Sequence, residues 1–238
     1  ITKRKKKTLS IGVVKMIDVT LIDHMGTDLS VVNAARVSFN KTSSWELTDW
    51  RDSSDYARKE VLSNGDTKLI HYLAKHKHKS PFGHCFASFH VKAPIFVARQ
   101  LVKHKFLRWN EISRRYVDSE PDFYVPDEWR GRSEDKKQGS DGVVDVDNWG
   151  DVNWACLKAY QDLLSNGVCP EQARMVLPQS TMTEWYWSGS LDAFADMCRL
   201  RITPDTQYES KQVALGVDRE MLKLFPISWV ALEGEEEE

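Results

Sequence analysis

Strands gathered early in the chain, helices gathered late, and no regular alternation between them predict an α+β domain. Three observations carry this. Residues 12–23, GVVKMIDVTLID, are rich in Val and Ile. Residues 84–91, HCFASFHV, alternate with the two-residue period of a strand. Most of the last third shows helical spacing. The chain has 238 residues, 41% of them hydrophobic, with nine Trp and nine Phe. That is enough to close one large core, so residues 1–238 read as a single domain. No internal repeat stands at a solenoid period.

The elements follow in order. After the first strand, LSVVNAARVS over 29–38 predicts a short helix with Asp28 or Ser30 as its cap. TKLIHYLAK over 67–75 predicts another, capped by Asp66 or Thr67. Ser80, Pro81, Phe82 and Gly83 make a tight turn that can present a hydroxyl and amides to a ligand. In the 84–91 strand, Cys85, Ala87, Phe89 and Val91 form one apolar face; His84, Phe86, Ser88 and His90 form the other. Pro94 suits a first helical position, and IFVARQLVKH continues from it. On that helix Gln100 and His104 share a face, as do Arg99 and Lys103. The run 131–142, GRSEDKKQGSDG, has little apolar content and reads as part of a surface insertion, 131–148. Helical spacing returns at Trp154, Leu157, Tyr160 and Leu164, and Gly167 ends that helix. Pro170 opens a short helix through Leu177, Ser190 caps LDAFADMCRLRI, and QYESKQVALGVDREMLKLF closes the fold. The basic start within 1–10 and the acidic end, 233–238, read as solvated tails.

Several function classes lose support here. The net charge of −2 argues against a protein that lives by non-specific phosphate contacts. Cys85, Cys156, Cys169 and Cys198 form no C-x-x-C pair, and no signal peptide precedes them, which reads as reduced thiols in the cytoplasm. His84 and Cys85 face opposite sides of their strand, and no motif surrounds Cys169, so all four thiols read as structural. No apolar run approaches the ~20 residues of a membrane helix. His71, His76, His78, His84 and His90 match neither H-E-x-x-H nor a zinc spacing, so no metal is expected. There is no G-x-G-x-x-G and no P-loop; a nucleotide or flavin would have to be held by side chains.

The densest chemistry lies at 103–116, KHKFLRWNEISRRY. Arg99, Lys103, Lys105, Arg108, Arg114 and Arg115 surround Glu111 and Ser113. Arg174 and Arg201 stand in otherwise apolar helices and need an anion or a carboxylate. Residue chemistry alone leaves three readings open. They are an anion site, a single-stranded nucleic-acid module with Trp109 and Tyr116 as stacking platforms, and a structural ion-pair network.

The same stretch resembles the signature of the flavin-dependent thymidylate synthases: R-H-R, seven residues, then S, with N-E-x-S-x-R-Y. Here it reads Lys103-His104-Lys105, seven residues, Ser113, with Asn110, Glu111, Arg115 and Tyr116 matching. AARVSF at 34–39, SPFGH at 80–84, FHVKAPIFVARQ at 89–100, ARMVLP at 173–178 and the LR and QYE of 200–209 are similar too, in the same order. The resemblance implies a central, mainly antiparallel sheet flanked by helices. It implies reductive methylation of dUMP to dTMP, with 5,10-methylenetetrahydrofolate as carbon donor, FAD reduced by NADPH, and no covalent enzyme nucleophile. It implies a homotetramer whose active sites are shared between subunits. Gln100, Lys103, Glu111, Ser113, Arg114, Arg115 and Arg174 would surround dUMP. Arg201 would be catalytic at the pyrimidine, and Ser113 a positioning hydroxyl. His78, Ser80, Lys103, His104, Lys105, Glu111, Ser190, Asp192 and Asp196 would contact FAD. The departures are Lys103 and Lys105 for the two arginines of the triplet, Arg108 for a small Ser, Gly83 for an acidic residue and Asp205 for a His. Lysine keeps the charge but loses the bidentate fork. An inactive nucleotide-binding relative is the alternative these departures leave.

Overall fold

The structure, a computed structural model, describes residues 13–14, 16–51, 56–134, 139–146 and 149–234. The strands are β1 (Val13–Val14), β2 (Asp18–Met25), β3 (Glu46–Arg51), β4 (Tyr56–Val61), β5 (Phe86–Pro94), β6 (Arg108–Glu111), β7 (Phe123–Tyr124), β8 (Trp129–Arg132), β9 (Ser140–Val144) and β10 (Met182–Ser190). The helices are α1 (Asp28–Arg36), α2 (Asn64–Lys75), α3 (Ile95–Leu101), α4 (Trp149–Ser165), α5 (Pro170–Ala173), α6 (Leu191–Arg201), α7 (Tyr208–Leu224) and α8 (Pro226–Glu233). A four-stranded antiparallel sheet in the order β2-β5-β10-β6 carries helices on its inner face, the α+β arrangement expected. Most of the terminal tails lies outside the described residues.

The strand expected over 84–91, β5, begins at Phe86, His84 ending a short turn before it, and the burial alternates as required: Cys85, Ala87, Phe89 and Val91 are buried, while His84 and Phe86 are exposed. Its partner β10 was not among the expected elements, because the last third reads as helical. Its inner set is Thr183, Trp185, Trp187 and Gly189, a two-residue period hidden by mixed polarity. Phe89 and Trp187 both meet Phe194 of α6 edge-on, at 5.2 and 5.6 Å between ring centroids. Helix α7 crosses β2 so closely that a Cβ on Gly216 would lie 2.7 Å from Val19 Cγ2.

Other expectations are corrected. Pro94 ends β5 and caps α3 rather than occupying its first turn, and α3 stops at Leu101. Lys103, His104 and Lys105 therefore lie in the loop beyond it. The expected surface loop at 131–142 contributes to a hairpin, β8 against β9. A second hairpin, β3 against β4, was not expected. Ser63, not Asp66 or Thr67, caps α2 by accepting the Asp66 amide at 3.1 Å. The Asp66 carboxylate instead takes Arg36 Nε and Nη2 at 2.9 and 2.6 Å, with Ser43 and Ser63 hydroxyls. Burial pushes its pKa up, but these donors outweigh burial and the pKa is lowered.

Thr27, not Asp28 or Ser30, is the cap of α1. Asp28 is 2% exposed and accepts the Ile227 and Ser228 amides at 3.0 and 2.9 Å. It caps α8, some 200 residues away, and ties the end of the chain to its beginning. Asp28→Ala should cost about 2 kcal/mol and lower Tm by several degrees in a thermal melt.

At the other end of α8, Glu233 hydrogen-bonds Asp218 of α7. Burial first, and Asp218 second, push its carboxyl from 4.5 up to about 7, with Arg199 opposing. Between those two values the folded state keeps a proton that the unfolded chain releases, so this group's contribution to stability falls as pH rises. Glu233→Gln keeps a neutral partner for Asp218. It should therefore raise Tm relative to the parent at about pH 8 and change it little at about pH 5.

Candidate functional site

The predicted residues fall into three neighbourhoods. The first is a cleft of about 810 Å³ lined by Arg99, Glu111, Ser113, Arg114, Arg115, Glu171 and Arg174, with Ile95, Val102 and Met182 as apolar floor. The pairing of β6 with β10 fixes its acid. Glu111 accepts Thr183 Oγ1 at 2.7 Å and Trp109 Nε1 at 3.1 Å. Past β6 the chain turns, Ser113 O accepting the Tyr116 amide at 3.0 Å. Ser113 Oγ accepts the Arg115 amide and Nε, each at 3.3 Å. The Arg115 guanidinium lies over the Tyr116 ring, 4.9 Å from its centroid. Arg114 donates to the Ser119 carbonyl, and Arg174 Nε to the Glu171 carbonyl at 3.2 Å. Among the described residues none of these three arginines pairs with a carboxylate. An ion-pair network would pair them; an anion site would not.

The second neighbourhood is built where the loop after α3 meets the last turn of α6. Arg201 Nε donates to His104 Nε2 at 3.2 Å. Burial, and then the Arg201 charge, push the His104 pKa down to about 4, so the ring is a neutral acceptor at ordinary pH. Burial also lowers the Arg201 pKa. One helical turn earlier, Gln100 Oε1 is buried without a partner. Gln100 lines a cavity of about 580 Å³ with Tyr124, Arg130, Tyr208 and Glu209. Arg130 pairs with buried Glu209 and stacks 4.2 Å over the Tyr208 ring. This cavity shares Pro178 and Gln179 with the arginine cleft. Lys103 and Lys105 are exposed beside His104.

The third neighbourhood is a cleft of about 1080 Å³ between α1, α2 and the turn that carries His78 and Ser80. Sequence reasoning assigned no role to four of its residues: Phe39 and Tyr72, 76% and 54% exposed, and the cations Lys41 and Lys68. No sequence signal marks Phe39 or Tyr72, since an aromatic reads as core until its exposure is seen. Nearby, Lys79 reaches Asp196 at 2.6 Å, and Asp196 also pairs with Arg199. Ser190 Oγ donates to Asp192 at 2.6 Å. The arginine cleft and the His78 cleft have no lining residue in common.

Of the two platforms in the nucleic-acid reading, Trp109 has one face stacked on buried Trp185 at 4.3 Å and its Nε1 tied to Glu111, while Tyr116 is 75% exposed beneath the Arg115 guanidinium.

A family model described as Thy1, thymidylate synthase complementing protein, matches residues 20–227. A flavin-dependent thymidylate synthase from Thermus thermophilus is 37% identical over 219 residues, spanning 90% of this chain and 75% of that protein. Another, from Kosmotoga olearia, is 36% identical over 233 residues, spanning 94% and 91%. The crystal structure of PolB, a UMP/dUMP methylase from Streptomyces cacaoi bound with 5-Br dUMP, superposes with a TM-score of 0.78 at 32% identity, covering 94% of this chain and 97% of that one.

All four thiols are free. Cys85 is buried, and burial first and Asp28 second push its pKa up to about 11; burial raises that of Cys198 as well. Cys169 is exposed and Cys156 half-buried. A disulfide reagent on the native protein should therefore modify Cys169 fast and Cys156 more slowly. Cys85 and Cys198 should react only after denaturation, as mass spectrometry of the adducts would show.

Proposed function

The chain belongs to the Thy1 family of flavin-dependent thymidylate synthases, and from that premise we propose that it methylates dUMP reductively to dTMP. The methylene comes from 5,10-methylenetetrahydrofolate, and FAD reduced by NADPH supplies the reducing equivalents. The observation that carries the reading is the arginine cleft, where Arg114, Arg115 and Arg174 converge without carboxylate partners among the described residues. A monoester phosphate is the dianion such a cluster fits. Ser113 adds a positioning hydroxyl and Glu111 is held rigid to receive a sugar hydroxyl, while Gln100 and Lys103, outside this cleft, would meet dUMP from the neighbourhood of Arg201.

Arg201 faces the pyrimidine. A guanidinium there favours the ring ionised at N3, and the anionic ring is the better nucleophile at C5. This chemistry asks nothing of a thiol, which fits cysteines that are buried or without a base.

The His78 cleft fits a flavin. Phe39 and Tyr72 offer flat apolar surface for an isoalloxazine, and Lys41 and Lys68 offer charge for a diphosphate. His78, Ser80, Lys103, His104, Lys105, Glu111, Ser190, Asp192 and Asp196 are the groups that would hold it. They do not meet in one pocket of a single chain. This supports sites shared between copies in a homotetramer, as does the outer sheet face, where Phe86 and Tyr186 stay 43% and 51% exposed. Among the described residues no helix is long and apolar enough to cross a membrane. Four free thiols suit a reducing compartment, the cytoplasm.

The test is dTMP formation from dUMP by the purified protein with methylenetetrahydrofolate, FAD and NADPH, alongside its visible absorption. Turnover that needs all four, by a protein that takes up flavin, is expected. No dTMP and no flavin uptake would reject the reading. PolB is described as acting on UMP as well as dUMP, so UMP is the second substrate to assay. Arg201→Ala should lower kcat by roughly a hundredfold or more with a modest change in Tm. Cys85→Ala and Cys169→Ala should each keep turnover, Cys85→Ala at some cost in stability.

A further inference from the structure

We infer that His104 is a positioning residue for Arg201, a neutral imidazole that aims the guanidinium through one hydrogen bond and leaves its positive charge uncancelled. The inference rests on the reading that Arg201 faces the pyrimidine. Two other half-buried arginines of this fold are held by acids: Arg36 by Asp66 and Arg130 by Glu209. A carboxylate fixes a guanidinium but also neutralises it, and a neutralised arginine has little left to offer an anionic ring. Arg201 has no carboxylate partner among the described residues. Its bond to His104 uses Nε–H alone, and among the described residues no hydrogen bond engages the other four guanidinium N–H groups.

The acceptor is itself held. The His104 amide donates to the Leu101 carbonyl at 3.1 Å, and the imidazole packs edge-on against buried Trp187 at 6.4 Å. Accepting at Nε2 places the ring proton on Nδ1, where it remains available to donate outward. Arg201 is the charged group facing the ring; Lys103 and Lys105 beside it are exposed. An imidazolium could not accept from a guanidinium, and burial keeps the ring from becoming one until pH falls to about 4.

Glutamine and glutamate have the same shape but opposite consequences here. Both can accept from Arg201; only glutamate cancels its charge. The experiment compares His104→Gln and His104→Glu with the parent protein, FAD-saturated in each case and flavin occupancy checked by absorbance. It measures dUMP affinity by titration calorimetry and steady-state kinetics. His104→Glu should bind dUMP at least about tenfold more weakly than His104→Gln, with kcat falling more than KM rises. In an Arg201→Ala background the same pair should bind dUMP alike, since no guanidinium remains to be cancelled; equal affinities with Arg201 present, or an unchanged gap without it, overturn the inference. A second measurement needs no glutamate variant: the ratio of parent to His104→Gln affinity should stay flat from about pH 8 to about pH 5.5. A step centred near the ordinary histidine pKa of about 6.5 overturns it. Failure of the parent protein to bind dUMP at all would instead reject the substrate reading, and this inference with it.

Discussion

Strand β10 is the constraint on which the rest depends. It pairs with β5 along nine residues from Met182 to Ser190, and with β6 along four from Trp185 to Ser188. The alternation of side chains makes those registers unforgiving, since a slip by one residue would turn its tryptophans to solvent. With Trp185 and Trp187 inward, Thr183 is inward too, and its hydroxyl reaches Glu111 across the strand pair. The same register stacks Trp109 on Trp185 and closes Trp187 over His104. Core packing and the two polar neighbourhoods beside it thus share one strand. At its far end Gly189 carries no Cβ because Leu107 packs against that position.

What could be read from the sequence was whatever is local and periodic. Strand β5 was legible because Cys85, Ala87, Phe89 and Val91 are all apolar, and α7 because its apolar spacing runs unbroken to its end. Strand β10 was not, since its inward set includes a hydroxyl and a glycine, and its two tryptophans flank an outward tyrosine. The β8–β9 hairpin was read as loop for a related reason: GRSEDKKQGSDG has no apolar alternation to announce a strand. Caps went wrong where the chain offers several short polar residues in a row. Asp28 looks like a cap for the helix it opens, and nothing local reveals that its carboxylate serves backbone amides about 200 residues away.

For the candidate site, the clustered stretch 103–116 and the isolated Arg174 and Arg201 were visible as residue types in unusual company. Their distribution in space was not. Arg174 joins Ser113, Arg114 and Arg115 in one cleft, while Arg201 turns to His104 in another place. Phe39 drew no attention inside AARVSF, because a phenylalanine in a sequence reads as core until its exposure is seen. The pinning of Glu111 depends on Thr183, 72 positions away, and no spacing rule links them.

The acids of the fold complete the argument. Asp66, Asp28 and Glu209 are each buried and each committed to structure: one to Arg36, one to the start of α8, one to Arg130. Burying a carboxylate is costly unless it is bonded, so these groups are not available to arginines elsewhere. Glu111 is bonded to a hydroxyl and an indole rather than to any of the four arginines lining its cleft. These three acids thus serve the scaffold, and the arginine cleft is lined by more positive charge than negative. That imbalance is local, since the whole chain carries only −2. Within the cleft Arg114 and Arg174 rest on backbone carbonyls, neutral partners that a phosphate could displace.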